Sequence, residues 1–157
     1  MTSLQALASS RPLRALEPGE VLISQGGHGG DLFILEQGEL AVERDGVAVT
    51  TISAPNALVG EMSVLLGTPN SATVRAIGPV SVRSIEDARN HLLQDPELTF
   101  LLASLVATRL DKTTALLVDL AKEHPGKAEQ GLLSRILSAL TLQANDGATV
   151  TRHDLFG

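Results

Sequence analysis

Between Leu16 and Ile85 the apolar residues come in short runs: Val21-Leu22-Ile23, Leu32-Phe33-Ile34-Leu35, Leu40-Ala41-Val42, Val47-Ala48-Val49 and Val80-Ser81-Val82. Turns that carry glycine separate them. Runs of this length, rich in β-branched residues, predict strands, and about eight of them at intervals of about ten residues predict a small barrel or jelly roll. One turn is specified residue by residue. Arg44-Asp45-Gly46-Val47 sets Asp-Gly between two apolar runs, a tight-hairpin signal because glycine accepts positive φ without strain.

Near residue 90 the pattern gives way to leucine and alanine at helical spacing. Glu86 to Leu93 predicts one helical segment. Pro96 then suits the first position of a new helix with Asp95 as its cap, and that helix is expected to run to about Glu123. Along it Ala103, Val106, Leu110, Thr113, Leu117 and Leu120 recur at spacings of 3, 4, 3, 4 and 3, a coiled-coil seam for pairing two copies. The stripe also suits packing on the roll of its own chain. Leu101, Leu102, Leu105 and Leu116 flank it, so one face can dock while another pairs.

His124-Pro125-Gly126 breaks the long helix. Leu132 to Leu142 predicts a short amphipathic helix, and Asn145-Asp146-Gly147 a polar turn. Thr151-Arg152-His153-Asp154-Leu155 reads as the cap and first turn of a further helix that is cut short at Gly157.

Composition narrows the function classes. With 157 residues, 43% hydrophobic and 19% charged, the chain is one globular domain with an appendage, and its apolar runs are too short to cross a bilayer. The balance of 12 basic and 18 acidic residues, net −6, supplies no footprint for gripping a duplex, so DNA binding by this chain alone is not expected. Zero cysteines exclude disulfides, thiolate nucleophiles and Cys-ligated metals. His28, His91, His124 and His153 lack metal-ligand spacing, so neither metal nor cofactor is expected. Phe33, Phe100 and Phe156 are the only aromatics, too few for a base-stacking platform. No secretory signal is read around Arg11 and Arg14, and a cytoplasmic location is expected.

The stretch that carries chemistry is Val59-Gly60-Glu61-Met62-Ser63-Val64-Leu65-Leu66-Gly67-Thr68-Pro69-Asn70-Ser71-Ala72-Thr73-Val74: a turn, a short helical segment, a loop and a strand. Backbone N–H groups at the start of such a helix suit an anion. Glu61 in that turn has two readings. It complements the helix dipole, or it accepts hydrogen bonds from vicinal sugar hydroxyls while the N–H groups hold a phosphate.

This stretch resembles the phosphate-binding cassette of cyclic nucleotide-binding domains, as in protein kinase A regulatory subunits and bacterial catabolite activator proteins. Leu16-Glu17-Pro18-Gly19-Glu20-Val21-Leu22, Gly26, Asp31-Leu32-Phe33-Ile34-Leu35 and Gln37-Gly38-Glu39-Leu40 resemble the opening strands of the same family, so the resemblance covers roughly residues 12 to 122. It implies an α+β fold, an antiparallel β-roll flanked by helices, with a long C-terminal dimerisation helix. The organisation expected is a helical lead-in over 1–15, the roll over 16–90, the long helix over 91–124, and over 125–157 a short helix with a truncated or vestigial approach to a helix-turn-helix.

The resemblance implies that Glu61 binds the ribose 2′-hydroxyl and that N–H groups around Gly60, Met62 and Ser71 meet the cyclic phosphate, Ser71 adding its hydroxyl, with Ser63 and Ala72 also among the ligand-binding residues. Asn70 departs from the pattern. It stands where the family usually carries an arginine that pairs with the phosphate, and a lost charged hydrogen bond costs about 1.5 to 3 kcal/mol. Arg75 or Arg83 is a candidate replacement. Arg109-Leu110-Asp111-Lys112-Thr113-Thr114 resembles the long-helix segment in which two hydroxyl residues read the adenine amino group, which implicates Thr113 and Thr114. For Thr113 the alternative is a hydroxyl bonded to its own helix carbonyl four residues back.

Two functions stay open. One is a cyclic nucleotide sensor, for cAMP ahead of cGMP, acting as a homodimer through Val106, Leu110, Thr113, Leu117 and Leu120, as in the sensor part of a transcription regulator. The other is a roll that binds no ligand and serves dimerisation or partner docking. An enzyme is not expected, because no nucleophile, base and orienter set is visible. Glu36 and Glu39 read as solvated turn charges, and His28 as part of a flexible surface loop without a role.

Overall fold

The computed structural model describes residues 4–123, with Gly126 and a few residues between 131 and 138. They form two compact units, one running through Phe100 and the other starting at Leu101. The elements are α1 (Leu4–Ser9), β1 (Leu13–Leu16), β2 (Val21–Ile23), β3 (Leu32–Gln37), β4 (Leu40–Arg44), β5 (Val47–Ile52), β6 (Leu58–Val59), α2 (Glu61–Leu66), β7 (Thr73–Ala76), β8 (Val80–Ile85), α3 (Ala88–Gln94) and α4 (Pro96–Glu123). The predicted segments from His124 onward, including the helix over 132–142 and the turn at 151–155, lie largely outside the described residues.

Eight antiparallel strands build two four-stranded sheets, ordered β1-β8-β3-β6 and β2-β7-β4-β5. This is the β-roll, an α+β fold with flanking helices and a long final helix. Side chains alternate across a strand, and the core takes Phe33 and Leu35 from β3 and Val80 and Val82 from β8. Opposite them stand Leu22 and Ile23 of β2, Leu40 of β4 and Val74 and Ala76 of β7. Leu32 and Ile34, on the other face of β3, are buried too. A strand covered on both faces reads as an unbroken apolar run, as Leu32-Phe33-Ile34-Leu35 does.

The Asp-Gly hairpin forms as the residues dictate. Asp45 and Gly46 both take positive φ, 52° and 75°, and Arg44 pairs with Val47 across the turn. The cap of α4 is equally local: the Leu98 N–H donates to Asp95 Oδ1 at 2.9 Å, and Pro96 takes the first helical position, where no N–H is needed.

Two elements differ from expectation. Leu13–Leu16 is a strand, although three of its four residues are exposed. It is an edge strand paired with β8, and only Leu16 of it enters the core, so its sequence shows no alternation of apolar residues. The helix expected from Glu86 starts at Ala88, because Asp87 adopts left-handed backbone at φ 48°. There its N–H donates to Asp31 Oδ1 at 3.2 Å, and the next N–H, of Ala88, donates to the Gly30 carbonyl at 2.9 Å. Among the described residues no helix is long and apolar enough to cross a membrane.

Candidate ligand site

The site is built around α2. Gly60 precedes it with φ 92° and ψ 0°, a conformation costly for any residue with a Cβ. Space forbids one as well, since a Cβ there would lie 2.6 Å from the Asp31 carbonyl oxygen. Glu61 follows in the first turn and is only 4% exposed. A carboxylate does not enter such a place by its own preference for water. Ser63 is buried beside it, and its hydroxyl donates to the Gly60 carbonyl at 3.0 Å. Gly67, at φ 64°, ends the helix with its N–H on the Ser63 carbonyl at 2.9 Å. Met62 and Ser71 are exposed, and Ala72 is half-buried.

Asn70, at the position where the family usually carries an arginine, is engaged within the fold. Asn70 Nδ2 donates to the His28 carbonyl at 3.1 Å and, more weakly, to the Ser24 carbonyl at 3.4 Å. Its backbone repeats the pattern, with the Asn70 N–H on the Gly27 carbonyl at 3.1 Å and the Gly26 N–H on the Asn70 carbonyl at 2.7 Å. Every one of these bonds ends on the loop from Ser24 to Gly30.

That loop, expected to be flexible, is therefore tied in place. Gly29 lies so close to α2 that a Cβ would fall 2.5 Å from Ser63 Cβ and 2.8 Å from the Thr68 carbonyl oxygen. Gln25 secures the N-terminal end. Its N–H donates to Thr73 Oγ1 at 3.0 Å, and its amide makes a reciprocal pair with Asp45 at 2.7 and 2.9 Å. The reading that it is no dinucleotide loop stands, since β3 and not a helix follows it. Its importance was legible only as glycine density, four glycines in Gly26-Gly27-His28-Gly29-Gly30, the mark of close backbone approach.

Two clefts flank this loop. One, of about 330 Å³, is lined by His28, Gly29, Ser63, Thr68, Asp87 and Arg89 among others. The second, of about 290 Å³, is lined by Ile23, Ser24, His28, Asp31, Phe33 and Asn70 among others. Of the predicted site residues, Ser63 thus meets the loop on one side and Asn70 on the other. Ile23 and Asp31, which line the second cleft, are also what a Cβ on Gly60 would meet, at 3.5 and 2.6 Å.

The candidate cations are placed elsewhere. Arg75 donates to the Gly19 carbonyl at 2.9 Å. Arg83 holds Glu36 at 2.6 Å and donates to the Arg11 carbonyl at 2.7 Å. Arg89, which the sequence did not single out, reaches the Val64 carbonyl at 3.4 Å. Thr113 and Thr114 lie in the second unit, and their hydroxyls donate to Arg109 and Leu110 carbonyls four residues back, at 2.8 and 2.9 Å. That is the back-bonding alternative. On the same helix Val106 and Leu117 are half-buried, whereas Leu110 and Leu120 are 44% and 45% exposed.

Comparison with known proteins agrees with this architecture. The family model for the cyclic nucleotide-binding domain matches residues 13–93. The acetyltransferase Pat of Mycolicibacterium smegmatis is 37% identical over 83 residues, half of this chain and 25% of that protein. A cAMP-dependent protein kinase regulatory subunit of Yarrowia lipolytica is 34% identical over 70 residues, 45% of this chain and 18% of its own. The match therefore spans a quarter or less of either curated relative. Among solved structures, the catabolite activator protein of Thermus thermophilus superposes with a TM-score of 0.62 at 25% identity, covering 76% of this chain and 59% of that one.

Proposed function

This chain belongs to the cyclic nucleotide-binding domain family, and we propose that it binds a cyclic nucleotide, cAMP ahead of cGMP, as the sensing part of a regulator. The observation that carries the reading is the buried Glu61 in the turn after Gly60. A carboxylate fixed in the first turn of α2 can accept hydrogen bonds from the vicinal hydroxyls of a ribose, and it supplies no fit to an apolar ligand. The relatives add support, since one is a cAMP-dependent kinase subunit and another a catabolite activator. In this reading Gly60, Met62, Ser63, Ser71 and Ala72 line the phosphate side. Binding, not catalysis, is the role of the domain.

Pairing of two copies along α4, through Val106, Leu110, Thr113, Leu117 and Leu120, is the second part of the proposal. It rests on the seam spacing and on the exposure of Leu110 and Leu120. Isothermal titration of protein freed of co-purified ligand by unfolding and refolding tests the first part. Micromolar cAMP binding that is lost in Glu61→Ala is the expected result; no heat up to millimolar cAMP or cGMP rejects it.

One observation favours a second reading. Asn70 stands where an arginine would pair with the phosphate, and its amide is spent on the Ser24–Gly30 loop. In this reading the roll binds no nucleotide and serves dimerisation or partner docking. A silent titration by the parent protein, with an intact fold, is the outcome that selects it.

A further inference from the structure

The family arginine is replaced by Asn70, and Arg75 and Arg83 are engaged elsewhere. An anionic ligand still needs a partner for its charge. Two basic side chains adjoin the clefts beside α2, His28 and Arg89. Arg89 lines only the cleft away from Asn70 and reaches back to a carbonyl of α2. His28 lines both, including the one that Asn70 lines. Its position is specified rather than incidental, because the group that fixes its backbone is Asn70 Nδ2, 3.1 Å from the His28 carbonyl oxygen. Gly29, packed directly on Ser63, leaves the loop no room for a side chain next to it.

We propose that His28 is the cation of this site: Asn70 holds the glycine loop against the cassette, and the loop presents the imidazole to the anionic group of the bound ligand. The residue at position 70 then acts on the ligand through position 28. The inference rests on the nucleotide-binding reading above and names the residue that meets the phosphate. An imidazole N–H donates to a phosphate oxygen, and in the charged ring that bond is charge-assisted. Asp31, Asp87 and Arg89 are the other charged groups lining these clefts, and Glu61 lies one residue beyond Gly60, which touches Asp31.

Titration of cAMP at pH 6 into the full chain and into His28→Ala and His28→Lys tests this. His28→Ala is expected to lose about tenfold to a hundredfold in affinity, the effect of one charged hydrogen bond. His28→Lys, which keeps a cation at that position, should bind about as tightly as the parent. A parent that binds while His28→Ala equals it at pH 6 overturns the assignment of His28 alone. Equal losses in His28→Ala and His28→Lys show a loop effect without charge, and overturn it too. A parent that binds neither cAMP nor cGMP at pH 6 rejects the nucleotide reading itself, and this inference with it.

Discussion

Adding one methyl group at Gly29 tests whether the glycine loop lies on the cassette as described. The Cβ of Gly29→Ala would sit 2.5 Å from Ser63 Cβ, 2.7 Å from Ser63 Oγ and 2.8 Å from the Thr68 carbonyl oxygen, where ordinary contact begins at 3.4 Å. None of the three is the free end of a flexible side chain. Ser63 is buried and bonded to Gly60, so the loop must withdraw by about 0.9 Å, the difference between 3.4 and 2.5 Å. Overpacking of this kind costs about 1 to 3 kcal/mol. Withdrawal also stretches the bonds from Asn70 to Gly27 and His28, each worth about 1 kcal/mol. A destabilisation of about 2 to 4 kcal/mol follows.

Gly78→Ala is the matched control. Its Cβ would meet nothing within 4 Å and its φ lies outside the left-handed region, so it should stabilise by about 0.4 to 1 kcal/mol through the unfolded chain. The chain has neither Trp nor Tyr, so urea unfolding is best followed by far-ultraviolet circular dichroism. Equal midpoints for Gly29→Ala and Gly78→Ala would refute the apposition of loop and helix.

Leu35→Ala, at a side chain with 0% exposure between the two sheets, should cost about 2 to 5 kcal/mol in the same unfolding experiment. Asp95→Ala removes the acceptor for the Leu98 N–H and should cost about 1 kcal/mol, with a loss of helical signal on warming. Leu110→Glu combined with Leu117→Glu should convert a dimer to monomers in sedimentation velocity; a parent that is already monomeric, or variants that remain dimeric, would sink the seam.

The candidate site was partly legible. Gly60, Glu61 and the loop to Ala72 stand out because a cassette is contiguous in sequence. Gly60 also shows its constraint openly, since positive φ demands glycine there. The tie between Asn70 and the Ser24–Gly30 loop was hidden, because it joins residues more than 40 apart through single side-chain and backbone bonds. For the same reason Arg83 read as a spare cation until its pairing with Glu36 was seen. Thr113 was left between two readings by sequence, and the helix itself supplies its hydrogen bond.

What the sequence determined by itself is what physics makes local. The Asp45-Gly46 hairpin, the Asp95 cap and the extent of α4 each depend on a few adjacent residues, whose φ preferences and side-chain oxygens act within one turn. The buried run of β3 belongs with them, since burial on both faces needs only apolar residues in succession. Only the tertiary structure decided that β8 lies between β1 and β3. It alone turned Leu13–Leu16 into a strand, held Glu61 out of water and spent the amide of Asn70 on the glycine loop. Each of these depends on which distant backbone groups end up as neighbours, and hydrogen bonds between groups far apart in the chain leave no periodicity in the sequence by which to read them.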